Sequence, residues 1–389
     1  MKAAIISFGH VDSVITLAKY LSKSIKVDLY ILLSQTSRRE SILDFRNIEV
    51  NNGLLHDYIT DRILSDKIKE YIGNNFKIYF FIYETFKTLN SKCVFFSCKF
   101  ARIVKNNKYD LVHFNGNNFQ QLLISFFAPH TPKVHTIHDY IGHSGERKFL
   151  AELINIFLFK SNRYKILHSK WSLLQAQQLR GINEKKVIVI PYSILEIYKK
   201  WENPLLKEES NTIIFFGRIS PYKGIEYLIE AVPMIKKEIN DLKVILAGEG
   251  KYYFDIDYLK EDKIYQIINR YIPNKELTEL IQKSTIVVCP YTDATQSGVI
   301  MTAYAFNKPV VATNVGGIPE IVDDGVTGLL VPPRNSQKLA ETITDLLRNP
   351  EKRNKMAENI RKKVNEGKFS WDLIAKETIE VYKKTIRQK

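Results

Sequence analysis

The sequence predicts an α/β protein with doubly wound parallel sheets. Three observations carry this. Short apolar runs rich in Val, Ile and Phe recur along the 389 residues. Most end in Gly, Ser, His or Pro. Several are followed by apolar residues at the i, i+3, i+4, i+7 spacing of an amphipathic helix. The alternation also stops once, near residue 205, and restarts, so the chain divides into two units.

The first unit opens with a strand pattern over Ala3–Phe8, a turn at Gly9-His10, and a helix carrying Val14, Leu17, Ala18 and Leu21. Lys26–Leu33 is the next strand. A strand, glycine turn, helix and strand in that order form a doubly wound unit, whose ligand crevice lies at the carboxyl ends of the strands. Residues 34–61 carry no clear pattern. Arg62–Lys108 reads as helical, with Lys77, Tyr79, Phe80, Phe81, Tyr83, Phe86, Lys87, Phe95, Phe96, Lys99, Phe100 and Arg102 alternating basic and aromatic character. Two readings stand for it: an amphipathic helix pair on a membrane surface, or aromatics facing a core beneath solvated lysines. The crowding of Phe80, Phe81 and Tyr83 predicts an exposed apolar patch.

Four further strands follow at Asp110–Asn115, Val134–His138, Tyr164–Ser169 and Val187–Ile190. Their polar ends, among them His113, His138-Asp139 and His168-Ser169, build the rim of one crevice. His138, Asp139, His143 and Glu146 form the richest constellation. It has no zinc spacing, and neither a His-Glu-x-x-His nor a Gly-x-Ser-x-Gly motif is present.

After the polar stretch Glu202–Asn211, the strand Thr212–Phe216 leads into Gly217-Arg218-Ile219-Ser220-Pro221-Tyr222-Lys223-Gly224. Arg218 and Lys223 thus stand between a strand end and a helix start. A diphosphate needs cations there, although two solvated surface cations would leave the same pattern. Strands at Lys243–Ala247 and Lys263–Ile268 come next, then Asn269-Arg270-Tyr271-Ile272-Pro273. The strand Ile286–Cys289 stops at Pro290. Ser297-Gly298-Val299 then opens a helix whose free N–H groups suit phosphate. Pro309–Ala312 and Leu329–Val331 are the last strands, and helices over Ser336–Leu347, Lys352–Val364 and Trp371–Ile386 complete the chain.

Composition bounds the function. Residues 1–195 hold 27 Lys and Arg against 15 Asp and Glu, so +12 of the net +15 lies there. An anionic partner suits that half, as does a plain solvated basic surface. Cys93, Cys98 and Cys289 lack metal-ligand spacing and suggest a reducing cytosol. The N-terminus passes directly into the first strand without a signal-peptide pattern, and no apolar run reaches the ~18 residues of a spanning helix.

Taken together, these residues resemble the retaining nucleotide-sugar glycosyltransferases of family 4. The resemblance covers nearly the whole chain. It is strongest in Phe216-Gly217-Arg218, Lys223-Gly224, Ala247-Gly248-Glu249-Gly250, Lys308-Pro309-Val310-Val311-Ala312-Thr313, Val315-Gly316-Gly317-Ile318-Pro319-Glu320 and Gly325-Val326-Thr327-Gly328. It implies the GT-B fold: two Rossmann-like domains facing across a cleft, at 1–200 and 206–369, with a helix at 370–389 crossing back to the first.

The resemblance also implies a glycosyltransferase that uses a nucleoside-diphosphate sugar and no cofactor or metal. Its acceptor would be a glycan or a lipid-linked saccharide, in cell-surface polysaccharide synthesis. The enzyme would be cytoplasmic, peripheral on the inner face of a membrane, with no nucleic-acid partner. Arg218 and Lys223 would hold the pyrophosphate, His138 would lie beside the donor sugar, and Gly9 would face the pyrophosphate from the first domain as the domains close. Donor contacts are expected from Arg270, Tyr271, Ser297, Gly298, Val299 and Thr302. Acceptor contacts are expected from His10, Asp139 and His143.

One departure stands out. The family's Glu-x7-Glu falls on Ala294 and Thr302, so the usual ribose-binding carboxylate is replaced by a hydroxyl. The competing readings are a GT-B nucleotide-sugar epimerase and a non-catalytic partner subunit.

Overall fold

The computed structural model describes residues 1–36, 39–86, 90–116, 118–138, 156–157, 163–178 and 183–388. Two units emerge, each built on its own predominantly parallel sheet. The first holds the described residues through Pro191 and the helix Trp371–Arg387. The second runs from Tyr192 to Ser370.

The sheet of the first unit contains β1 (Lys2–Ser7), β2 (Lys26–Ser34), β5 (Gly53–Leu54), β6 (Lys77–Tyr83), β7 (Leu111–Asn115), β8 (Lys133–Thr136), β9 (Tyr164–Leu167) and β10 (Val187–Val189). Their order is β10-β9-β8-β7-β1-β2-β6-β5. Every pair is parallel except β5 with β6. A small hairpin of β3 (Arg39–Glu40) and β4 (Leu43–Asp44) stands apart. The chain lays strands on one side of β1 and then returns to its other side at β7. The switch point therefore lies between the carboxyl ends of β1 and β7, where an open parallel sheet forms its ligand crevice.

The structure corrects the helical reading of Arg62–Lys108. Helices occupy Asp57–Ile63, Asp66–Ile72 and Ser91–Asn106, but Lys77–Tyr83 is strand β6. Phe80, Phe81 and Tyr83 are buried, so they form no exposed patch. Their near-continuous apolar run marks a parallel strand covered on both faces. Phe81 meets Phe100 edge-on at 4.9 Å, within a core shared by β1, β2, β6, β7 and the helices Ser91–Asn106 and Phe119–Phe127.

In the second unit, β11 (Thr212–Phe216), β12 (Lys243–Ala247), β13 (Tyr265–Ile268), β14 (Ile286–Cys289), β15 (Val310–Thr313) and β16 (Gly328–Val331) form a wholly parallel sheet. Their order is β13-β12-β11-β14-β15-β16. The switch point lies between β11 and β14, the two strands that lead into the Arg218 loop and the Ser297 helix.

The expected boundary at residues 200–206 lies instead between Pro191 and Tyr192. Ile194, Leu195, Ile197 and Tyr198 are buried in the second unit. The Leu195 amide donates to Met301 O, and the Asn203 amide donates to Gln282 Oε1 at 2.9 Å. These contacts hold the polar stretch that reads as a linker. The last helix, in contrast, returns to the first unit: Asp372 pairs with Lys23 at 2.7 Å, and Tyr382 reaches His113.

Candidate functional site: two switch points

In the second unit, close backbone approach shapes the site. A Cβ on Gly248 would stand 1.7 Å from the Gly217 carbonyl oxygen, and one on Gly224 2.0 Å from that of Pro290. Gly224 also adopts φ 62°, the left-handed region that glycine enters without strain. Only glycine lets these strand ends nest, and the nesting leaves open a pocket of about 450 Å³. Phe216, Gly217, Arg218, Gly248, Tyr271 and Ile272 line it.

Arg218 reaches the Tyr222 hydroxyl at 3.4 Å. Lys223 is buried, its ammonium 4.0 Å above the Tyr291 ring. Burial pushes the neighbouring Cys289 thiol up to about 11, against the pull of Lys223. Arg270 lies at the rim, where Glu276 grips it in a two-bond fork at 2.7 and 2.9 Å. That pairing raises its pKa and leaves it a wall group rather than a loose cation.

Ser297 caps the helix Gly298–Ala305 by accepting the Ile300 amide. The first-turn amides of Gly298 and Val299 have no intrahelical acceptor, as at every helix N-terminus. The Arg218 loop meets this terminus: a Cβ on Gly217 would lie 3.2 Å from Val299 Cγ2. Gly316 holds the loop before the helix in place. Its Cβ would stand 1.7 Å from Ala294 O, which accepts the Gly317 amide at 3.0 Å. Thr302 departs from expectation. It is buried, and its hydroxyl donates to Gly298 O at 2.8 Å, so it bonds back into its own helix instead of facing the pocket.

The switch point of the first unit gathers a chain of hydrogen bonds. Ser7 Oγ donates to Gly9 O at 2.5 Å, and Asn115 Nδ2 donates to Ser7 Oγ at 3.1 Å. Asn115 Oδ1 then faces His138 Nε2 at 3.1 Å. An amide oxygen only accepts, so Nε2 carries the proton and Nδ1 is the accepting ring nitrogen. His138 is almost wholly buried, and burial among His10, His168 and His113 holds its pKa well below the usual value. It is neutral. His10, in the left-handed region at φ 53°, stacks on it at 3.7 Å. His113 is fixed by the Tyr382 hydroxyl and Thr136 Oγ1, each at 2.7 Å.

Of the residues expected here, Gly9, His10 and His138 come together. Asp139 and His143 lie outside the described residues. Ser7, Asn115 and Glu40 were missed. The Glu40 carboxyl packs against Gly9, where a Cβ would be 3.3 Å from Oε1. Burial, with Asp12 nearby, lifts it to about 7. A two-residue hairpin strand gives no periodicity by which to find Glu40. Ser7 and Asn115 carry the signal of polar residues ending buried strands.

The profile of the family described as Glycosyl transferases group 1 matches residues 198–363. An uncharacterized glycosyltransferase, MJ1607 of Methanocaldococcus jannaschii, is 31% identical over 308 residues, covering 71% of this chain and 76% of that protein. Alpha-D-kanosaminyltransferase of Streptomyces kanamyceticus is 30% identical over 152 residues, covering 38% and 39%. Among solved structures, Anabaena Alr3699/HepE in complex with UDP superposes with a TM-score of 0.66 at 19% identity, over 99% of this chain and 100% of that one. A Rickettsia africae glycosyltransferase reaches 0.68 at 18% identity over the full length of both. At such identities the structures show the fold, which is GT-B.

Proposed function

The chain belongs to the group 1 glycosyltransferases, and from that premise we propose that it moves a sugar from a nucleoside-diphosphate sugar to a glycan or lipid-linked saccharide, with retention of configuration, in cell-surface polysaccharide synthesis. One observation carries the reading. At the switch point of the second unit, Arg218 lines a pocket wide enough for a nucleoside, its loop meets the Gly298 helix terminus at Val299, and Lys223 stands over the Tyr291 ring that reaches the cap Ser297. The UDP complex of the Anabaena relative in fold supports a nucleotide donor.

In the proposed reaction, an acceptor oxygen bonds to the anomeric carbon as the bond from that carbon to the diphosphate oxygen breaks. The acceptor proton passes to the departing diphosphate. Arg218, Lys223 and the helix terminus offset the charge that develops there. They take the role a divalent ion plays elsewhere, so transfer proceeds without metal. His138 is neutral and held in one tautomer, and in the proposed role beside the donor sugar a neutral ring avoids the repulsion a charged imidazolium would exert on a cationic sugar centre.

The basic first half supports docking on an anionic membrane face. Lys92, Phe95, Lys99 and Arg102 share the exposed side of the helix Ser91–Asn106, and Phe126 is exposed on the helix packed against it. No helix among the described residues is long and apolar enough to cross a membrane. Flotation should favour anionic over neutral vesicles and weaken with salt. Equal flotation with both sets the membrane reading aside.

Thermal unfolding with a panel of nucleotide sugars tests the donor, since a ligand of the native state raises the midpoint. Turnover with chelator present then tests whether transfer needs a metal. A donor converted to its epimer without acceptor, or a panel with no stabilising member, overturns the reading.

A further inference from the structure

The amino ends of β8 and β9 border a second, open pocket, of about 220 Å³, at the opposite end of the sheet from the switch-point crevice. His130, Thr131, Lys133, Arg163, Tyr164 and Gln388 are among its walls. Its walls carry cations that no described carboxylate pairs with. Lys133 is buried, and its ammonium is held by the carbonyls of Ala128 and Thr131 at 2.5 and 2.7 Å and, more loosely, by that of Pro129. Those of Ala128 and Pro129 close the helix Phe119–Phe127, whose negative end offsets part of the ammonium charge without a full counter-charge.

Arg163 is half-buried. Its one described hydrogen bond runs to His135 Nε2, long at 3.4 Å, and leaves most of its five N–H donors unused. Lys186 adds a third cation beyond, over the Tyr164 ring and bonded to Gln388. Among the described residues, no carboxylate pairs with Lys133, Arg163 or Lys186. Burial and the Arg163 charge pull the Lys133 pKa down to about 8, and burial lowers that of Arg163.

Buried charges in proteins are paired, because removing a charge from water is expensive. Here the described residues give Lys133 only carbonyls and Arg163 only an imidazole nitrogen, while a planar donor fork borders the pocket. A guanidinium fork beside an ammonium matches a phosphate group. At ~30 Å³ per water the cavity has the volume of about seven waters, enough for a phosphate and the first atoms of its carrier. We propose that this pocket binds a phosphomonoester dianion between Arg163 and Lys133. Gln388 donates to the Tyr164 hydroxyl at 3.0 Å, so the ligand would also secure the end of the last helix.

Phosphate titration followed by thermal unfolding tests this, against sodium chloride at matched ionic strength. A saturable rise of the midpoint with phosphate and none with chloride is expected. Arg163→Gln should weaken phosphate binding at least about tenfold, the scale of one charge-assisted contact. His130→Glu, on an exposed wall, should do the same by repulsion and serves if Arg163→Gln does not fold. Arg218→Ala should keep the response, which separates this pocket from the donor site. Equal shifts with chloride, or a phosphate response lost in Arg218→Ala and kept in both pocket variants, overturn the proposal. Glycerol 3-phosphate competing with phosphate would assign a soluble ligand, whereas Arg163-dependent flotation with phosphatidic acid vesicles would assign a lipid headgroup.

Discussion

His10 lies flat against His138, the ring centres 3.7 Å apart and the planes 13° from parallel. Burial first, and the His10 ring beside it, hold His138 neutral. The left-handed backbone at His10 places its ring there, and the Asn115 oxygen fixes how the His138 ring is turned.

Asn115→Ala should therefore lower kcat about ten- to a hundredfold by freeing the His138 ring, since misplacement of a reacting group costs on that scale. Nucleotide binding measured by calorimetry should be unchanged, because Arg218 and Lys223 belong to the other unit. Loss of nucleotide binding in this variant would count against a positioning role.

Stability should fall on acidification. Burial holds His113 at about 3, and His135 and His138 well below 6.5. The unfolded chain protonates all three near 6.5 while the folded chain does not. Below that pH the unfolded state binds more protons, so folding weakens as pH drops from 6.5 toward the folded values. Each group contributes up to about 1.4 kcal/mol per pH unit, and Glu40, which takes up its proton near 7 in the folded chain, offsets one of the three, leaving about 3 kcal/mol per pH unit. Urea unfolding at pH 8, 6 and 5 measures this; a flat profile would contradict neutral burial.

Arg218→Ala and Lys223→Ala should each lower kcat/KM about a hundredfold or more, the scale of a lost oxyanion-type contact. Steady-state transfer with the donor found by thermal screening is the measurement. Near-normal rates in either would remove that residue from the diphosphate.

Gly248→Ala should cost about 2–3 kcal/mol and close the nucleotide pocket, because its Cβ would collide with the Gly217 carbonyl at 1.7 Å. Gly325→Ala meets nothing within 4 Å. It should cost only the ~1 kcal/mol of a left-handed backbone at φ 74°. Equal destabilisation of the two by chemical unfolding would refute the close-approach argument.

Thr302 shows how spacing can misplace a side chain. Counting back from Pro309 puts it at the position where the resembling family binds ribose. Its hydroxyl instead turns to Gly298 O, a choice that depends on helix geometry and not on spacing. Lys77–Tyr83 misled in a similar way: its aromatic run fits a helix or a buried strand equally until its neighbours are known.

The sequence by itself determined the sheet of the second unit, most strands of the first, the Arg218–Lys223 loop and the capped helix at Gly298, because strand ends, glycines and caps act over a few residues. Only the tertiary structure decided that Ser7, Asn115 and His138 form one hydrogen-bonded chain, that Glu40 lies on Gly9, and that Lys133 and Arg163 share a pocket. Those residues stand tens of positions apart. What joins them is strand order, set by the burial of apolar faces that many pairings would satisfy and that only the packed chain selects.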